Sequence, residues 1–254
     1  MRRREVRGPS KTFAPSKNKQ IETPDTTLKQ ITLPTSAIEV WQARLDLRAD
    51  EVQQCAKFLS RDEQNRADRF HFEHDRRRFI VARGKLRQLL SRHFQIAPAA
   101  IVFSYMKNGK PFVPGNTAEV HFNLSHSEDC ALYAISSSFR LGVDIECLNH
   151  EIDCLGMARR FFTQSESAAL AHLEAAHQKR AFFACWTRKE AVIKATGDGL
   201  SLPLDQFEVT VQAEDEPRLL AASTLRIAEW ALYAADVGDD YVATVAAYSG
   251  NSRT

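Results

Sequence analysis

The sequence predicts an α+β fold made of two similar lobes in a pseudo-twofold arrangement, meeting across a cleft. Three observations lead there. Each half contains one long segment of helical periodicity, RRRFIVARGKLRQLL in the first and KRAFFACWTRKEAVIKA in the second, with an Ala-Arg or Thr-Arg step inside it. Each of these is followed by turns and short alternating stretches that read as strands. The length, 254 residues, suits one large domain or two smaller ones. The boundaries read as a basic tail over 1–34, an N-terminal α+β lobe over 35–138 and a C-terminal lobe over 139–254.

Taken in order, residues 1–34 are rich in Lys, Arg, Ser, Thr and Pro without apolar periodicity, which predicts a disordered tail. A first helix begins near Ser60, where S-R-D-E forms a capping box through Ser60 and Glu63. A second runs from about Asp75 to His93, with Phe79, Leu86, Leu89, Leu90 and His93 at helical spacing. Strands are predicted at Ile101–Phe103, His121–Leu124, Cys130–Ile135 and Leu141–Glu146, the first two separated by the turn K-N-G-K-P. T-Q-S-E at Thr163–Glu166 is a second capping box, opening a helix to about Ala175. Arg180–Ala195 reads as a helix stopped by Gly197 and Gly199, and Phe207–Val211, Glu229–Ala234 and Tyr241–Tyr248 as the closing strands.

Composition excludes several classes. Hydrophobic residues are 44% and charged residues 26%, as in ordinary globular proteins. No apolar run approaches the roughly 20 residues of a membrane span, and the charged opening MRRREVRGPSK is not followed by the apolar stretch of a secretory signal. The first 30 residues hold eight Lys/Arg against three Asp/Glu, so with a total of +2 the remainder is mildly acidic. That disfavours a nucleic-acid partner. The five cysteines are odd in number and lack C-x-x-C spacing, which points away from a disulfide framework or zinc site and toward a reducing, cytoplasmic setting.

Four motifs carry candidate chemistry. In L-G-V-D-I-E (141–146), strand alternation puts Val143 and Ile145 toward a core and Asp144 and Glu146 on the other face, about 6–7 Å apart along the strand. Two oxygen ligands so placed suit Mg²⁺, whereas a solvated strand face is the bland alternative. In W-T-R-K-E-A-V-I-K (186–194), Phe182, Trp186 and Ile193 form an apolar stripe that includes Lys189, with Glu190 and Lys194 one turn apart on its edge. A buried charge needs a partner or an ion, while a Glu190–Lys194 surface pair would be unremarkable. In F-N-L-S-H-S (122–127), Phe122 and Leu124 pack inward, and Ser125, His126 and Ser127 form an exit loop suited to phosphate or to an ordinary polar turn. In N-G-K-P (108–111), Lys110 stands on a tight turn, free to meet an anion or merely solvated. Arg76, Arg77 and Arg78 add positive charge at a helix start, where the dipole disfavours it. No G-x-S-x-G elbow is present, so a serine hydrolase is rejected.

Taken together and in order over about residues 60–210, RRRFIVARGKLRQLL, GKP, FNLSHS, GVDIE, RRFFTQSE, WTRKEAVIKATGDGLSLPL and QFEV resemble the Sfp-type 4′-phosphopantetheinyl transferases, in the branch marked by W-x-x-K-E-A. The resemblance implies two similar lobes binding coenzyme A in their cleft. It implies a serine of an acyl or peptidyl carrier attacking the coenzyme's β-phosphate, with adenosine 3′,5′-bisphosphate leaving. By motif position it implies that Asp144, Glu146 and Glu190 hold Mg²⁺, that Glu190 is the base for the carrier serine and that Lys194 contacts the phosphates or the pantetheine arm. Lys110, Ser125 and His126 match family positions that contact the coenzyme's phosphates, and Arg78 is a further candidate. Glu128 and Asp129 depart from the pattern, since many relatives carry a glycine or less charge there. An internal repeat makes a monomer adequate. A non-catalytic module of the same fold and a different Mg²⁺ enzyme acting on phosphates, such as a nuclease, are the competing readings.

Overall fold

The structure, a computed structural model, describes residues 25–107, 109–115, 120–197 and 202–250. The tail over 1–24, Asn108 of the K-N-G-K-P turn and Gly199 lie outside the described residues. Helices and antiparallel sheets make a mixed α+β architecture.

The N-terminal half begins earlier than its composition suggests. Leu28–Ile31 is strand β1, pairing with β2 (Glu39–Arg44), and Ile31 and Leu33 are buried. The expected boundary of the tail at residue 34 is therefore too late. An edge strand needs to bury only one face, so a mostly polar stretch satisfies it. Helix α1 (Ala49–Ala56), also unanticipated, precedes α2 (Arg61–Ala67), whose N-terminus is the predicted capping box. There Glu63 N–H donates to Ser60 Oγ at 3.4 Å and Ser60 N–H donates to Glu63 Oε2 at 2.9 Å. Helix α3 (Glu73–Phe94) lies against the sheet β1-β2-β6-β5, through β5 (His121–Ser127) and β6 (Cys130–Ser136). Ile101–Phe103 forms no strand; the short hairpin of β3 (Ser104–Tyr105) and β4 (Pro111–Phe112) follows it instead.

The C-terminal half opens with β7 (Arg140–Cys147). Helices α4 (Cys154–Phe161) and α5 (Gln164–Ala171) follow, then α6 (Ala175–Thr196), which starts earlier than Arg180. Gly197 ends α6 at φ +78°, a left-handed cap that a side chain would strain. A ribbon of β8 (Phe207–Val209) and β9 (Leu219–Ala222) precedes β10 (Trp230–Ala234) and β11 (Tyr241–Tyr248), and these last two complete the sheet β10-β11-β7.

One device appears in both halves. The capping-box Glu63 also accepts from Arg87 of α3 at 2.7 Å, and Arg87 donates to the carbonyls of Pro98 and Ile101. The capping-box Glu166 pairs with Lys189 of α6 at 2.8 Å, and Lys189 donates to the carbonyls of Leu204 and Phe207. Each long helix is thus tied to the preceding cap and the following loop by one buried cation. Lys189, half expected to be functional, is a structural residue with no exposed surface. Its charge is tolerated because every donor direction ends on oxygen.

Candidate active site

The two sheets meet where β5 runs alongside β7, and side chains, not a backbone ladder, bridge them. Asn123 Oδ1 accepts from Val143 N–H at 2.8 Å, and Ser127 Oγ accepts from Cys147 N–H at 3.1 Å. Ser125 Oγ donates to Asp144 Oδ1 at 3.0 Å, and Ser127 Oγ donates to Glu146 Oε2 at 3.2 Å. The pairings rise together along both strands, so the two run parallel. Residues 123, 125 and 127 share one face because strand side chains alternate with period two. Ser125, His126 and Ser127 therefore lie on a strand rather than in the expected exit loop. Pairing with β6 carries the strand three residues past Leu124, and the Ser125 and Ser127 hydroxyls bond across to β7.

Helix α6 presses directly on β7. A Cβ built at Gly142 would collide with the Ala191 carbonyl and the Ala195 amide, so only glycine permits this approach. With the helix so close, Lys194 Nζ reaches Asp144 Oδ1 at 2.6 Å and Ser125 Oγ at 3.0 Å. The sequence offered a Glu190–Lys194 pair as the bland reading. The lysine instead crosses to β7, where the buried Asp144 carboxylate and the Ser125 hydroxyl both stand within hydrogen-bond distance. Glu190 and Lys194 both line a cavity of about 420 Å³, together with Ser125, His126, Lys110 and Arg83.

The electrostatics centre on Asp144, which is 3% exposed and whose Oδ2 has no hydrogen-bond partner among the described residues. Glu146 is pushed up to about 7, first by burial and then by Asp144. Glu190 is raised for the same two reasons in the same order. Three acids thus share one field with one lysine among them. Among the described residues, no three acidic, histidine or cysteine side chains are drawn in to metal-ligand spacing. Their chemistry nonetheless fits a hard divalent cation: the donors are all oxygen, one buried oxygen is without a partner among the described residues, and burial with the Asp144 charge raises the pKa of both glutamates, which a cation would reverse.

The remaining candidates separate. His126 lines the cavity, and its imidazole is pushed down by desolvation and then by Lys194 and Arg78, which favours the neutral ring. Lys110 is no freely solvated turn lysine: its ammonium donates to the carbonyls of Leu141 at 2.8 Å and Lys194 at 2.6 Å. Burial, then Arg140, lowers it to about 8. Arg78 is not part of the cavity lining and is bound to Asp129 at 2.8 Å and Glu128 at 2.7 Å. Arg76 pairs with Asp68 and Glu73, and Arg77 donates to the Leu47 carbonyl, so nearby oxygens account for the charge that looked misplaced at the helix start.

Residues 140–246 match the family model of the 4′-phosphopantetheinyl transferase superfamily, and residues 43–138 match that of the 4′-phosphopantetheinyl transferase N-terminal region. The chain is 36% identical over 218 residues to the 4′-phosphopantetheinyl transferase HetI of a Nostoc species, covering 85% of this chain and 90% of that one. The chain belongs to the 4′-phosphopantetheinyl transferase family. Two Bacillus subtilis members extend the likeness: Sfp is 32% identical over 170 residues, covering 67% of this chain and 74% of its own. The transferase ffp is 34% identical over 168 residues, covering 66% and 73%.

The sequence did not reveal the whole site of this transferase. Asn123, Gly142 and Ser127 position the acids without any family role having been expected of them. The signal was present as N-x-S-x-S at period two, hidden because polar residues in alternation read as a strand's exposed face. In the sequence Arg83 stands out only as part of the helix repeat.

Proposed function

We propose that this chain transfers the 4′-phosphopantetheine group of coenzyme A to a serine of an apo acyl or peptidyl carrier, with Asp144, Glu146 and Glu190 holding Mg²⁺. The observation that carries this is the buried, half-satisfied Asp144 standing between two proton-hungry glutamates and Lys194 at a 420 Å³ cavity. When bound, the metal supplies positive charge to the diphosphate as negative charge gathers there.

The chain's own residues do the rest. Glu190 accepts the proton of the carrier serine, directly or through one water. Its raised pKa brings the base closer to the working pH, where proton transfer is most effective. The serine oxygen forms a bond to the β-phosphorus, the bond to the bridging oxygen breaks, and adenosine 3′,5′-bisphosphate leaves with that oxygen. Lys194, anchored on Asp144, places a cation at the cavity wall for the phosphates, and a neutral His126 and the Ser125 hydroxyl offer hydrogen bonds. Lys110 acts as a brace between the C-terminal turn of α6 and β7 as well as lining the cleft.

The two-lobe reading rests on the repeated device of capping-box glutamate, buried cation and following carbonyls, and on both long helices spanning 22 residues. With the boundary moved to admit β1, the lobes run over about 25–138 and 139–250. Because both lobes belong to one chain, the cleft is complete in a monomer. Four of the five free cysteines are buried, which accords with a reducing cytoplasm. Among the described residues no helix is long and apolar enough to cross a membrane.

Incubation of an apo carrier with the chain, coenzyme A and Mg²⁺, followed by intact-protein mass spectrometry, tests the proposal. The carrier should gain one phosphopantetheine, and chelator or Glu190→Ala should abolish the gain. Coenzyme binding without transfer to any of several unrelated carriers would instead favour a non-catalytic module.

A further inference from the structure

Among the described residues, the cleft holds a buried cation whose bonding is incomplete. Arg83 of α3 is 8% exposed, yet none of its nitrogens makes a hydrogen bond to a described residue, and Nη1 is buried without a partner. Its Nε lies 3.3 Å from Glu63 Oε1, a contact of opposite charges without hydrogen-bond alignment. The guanidinium is held by the rings of Phe103 and Phe79, 5.4 and 5.9 Å away. Burial lowers its pKa, although a guanidinium keeps its proton. Desolvating such a group with its donors unmet costs more than ring contacts return.

Glu63 balances it only in part. Its Oε2 accepts from Arg87 and from the Ser60 amide, while its Oε1 makes the ion pair with Arg83 Nε and leaves Nη1 and Nη2 without a carboxylate among the described residues. Arg66, exposed at the same cavity, adds a third guanidinium with no carboxylate partner among the described residues. The C-terminal half shows what the fold itself requires: its capping-box Glu166 takes one cation, Lys189, and one turn before Lys189 stands Cys185. Arg83 occupies that same place one turn before Arg87, so it is surplus to the structural device. It also lines the cavity that Glu190 and Lys194 line.

We propose that Arg83 is a phosphate-binding residue of this cleft, its unmet N–H groups completing their hydrogen bonds on a phosphoryl oxygen of the ligand. The inference rests on coenzyme A being that ligand. Coenzyme A offers two such groups, the diphosphate and the 3′-phosphate monoester. A planar fork with several donors suits either.

Titration calorimetry with coenzyme A and with its 3′-dephospho form, on the wild type, Arg83→Gln and Arg83→Lys, tests this, with thermal melts to confirm folding. Arg83→Gln should weaken coenzyme A at least tenfold. Loss confined to coenzyme A assigns Arg83 to the monoester, and equal loss with both ligands assigns it to the diphosphate. Arg83→Lys keeps the charge but not the fork, so it should bind about three- to tenfold more weakly. It also decides the matter if the glutamine variant fails to fold. An unchanged dissociation constant in a folded variant would overturn the proposal and leave Arg83 as cleft packing. Failure of the wild type to bind coenzyme A would instead sink the functional reading itself.

Discussion

Single residues at this site do two tasks at once, and their substitutions should separate them. Glu190 is half-buried on α6, and its side chain makes no hydrogen bond among the described residues. Glu190→Ala should therefore abolish carrier modification while moving the melting temperature little. A variant that transfers at the wild-type rate would remove it from the site. Glu146 makes a pH prediction. Its folded pKa, about 7, lies above the ordinary carboxyl value. The folded state therefore binds more protons than the unfolded between roughly pH 4.5 and 7, and stability falls as pH rises through that window. Above pH 7 the cost is fully present. Without metal, Glu146→Gln should gain on the wild type by on the order of 1 kcal/mol between pH 5 and 8, a figure discounted for solvent screening at an open site. Chemical denaturation at the two pH values reads it, and a difference that stays flat contradicts the assigned cause. Added Mg²⁺ should shrink that gain.

At the scale of elements, the site depends on how closely α6 lies on β7. Gly142→Ala places a methyl against the Ala191 carbonyl and Ala195 amide, which belong to the helix backbone and cannot swing aside. The helix must shift, and overpacking of this kind costs about 1–3 kcal/mol. Because Glu190 and Lys194 shift with it, the loss of transfer should exceed what the fraction unfolded explains. Activity measured well below the melting point separates the two. The buried Glu166–Lys189 pair makes the contrasting case. Lys189→Met leaves Glu166 buried and uncompensated and should cost about 3–5 kcal/mol, whereas breaking the exposed Arg44–Asp46 pair should cost less than about 1 kcal/mol. Comparable losses at both places would mean that the burial of Glu166 has been overstated. Capping boxes and long helices were legible in the sequence because their signals are local. Helices α1 and α4 and strand β1 were not, because they are short and their apolar residues gain a meaning only from the surfaces that cover them.

For the whole molecule, joining β5 to β7 through side chains makes the cleft a product of both halves. Asn123→Ala would leave the Val143 amide without its partner at that seam, which costs about 1–3 kcal/mol. With both halves in one chain, sedimentation should give the mass of a single 28.7 kDa chain with and without coenzyme A. A dimer that forms only with the coenzyme would move part of the site to an interface between copies.

The sequence by itself determined the α+β class, the two capping boxes, the paired acids of β7, the Glu190–Lys194 face of α6 and the family. Each is written in periodicity or in an ordered run of motifs, and both survive without knowledge of neighbours. Only the tertiary structure decided that Lys189 is a brace, that Lys194 crosses to Asp144, that Arg78 is tied to Glu128 and Asp129, and that Ser125 and Ser127 support the acids from a parallel strand. The physical reason is the same in each case. A charged or hydroxyl side chain carries no mark of its partner, and whether it stabilises the fold or serves the ligand depends on which oxygen the fold brings within 3 Å.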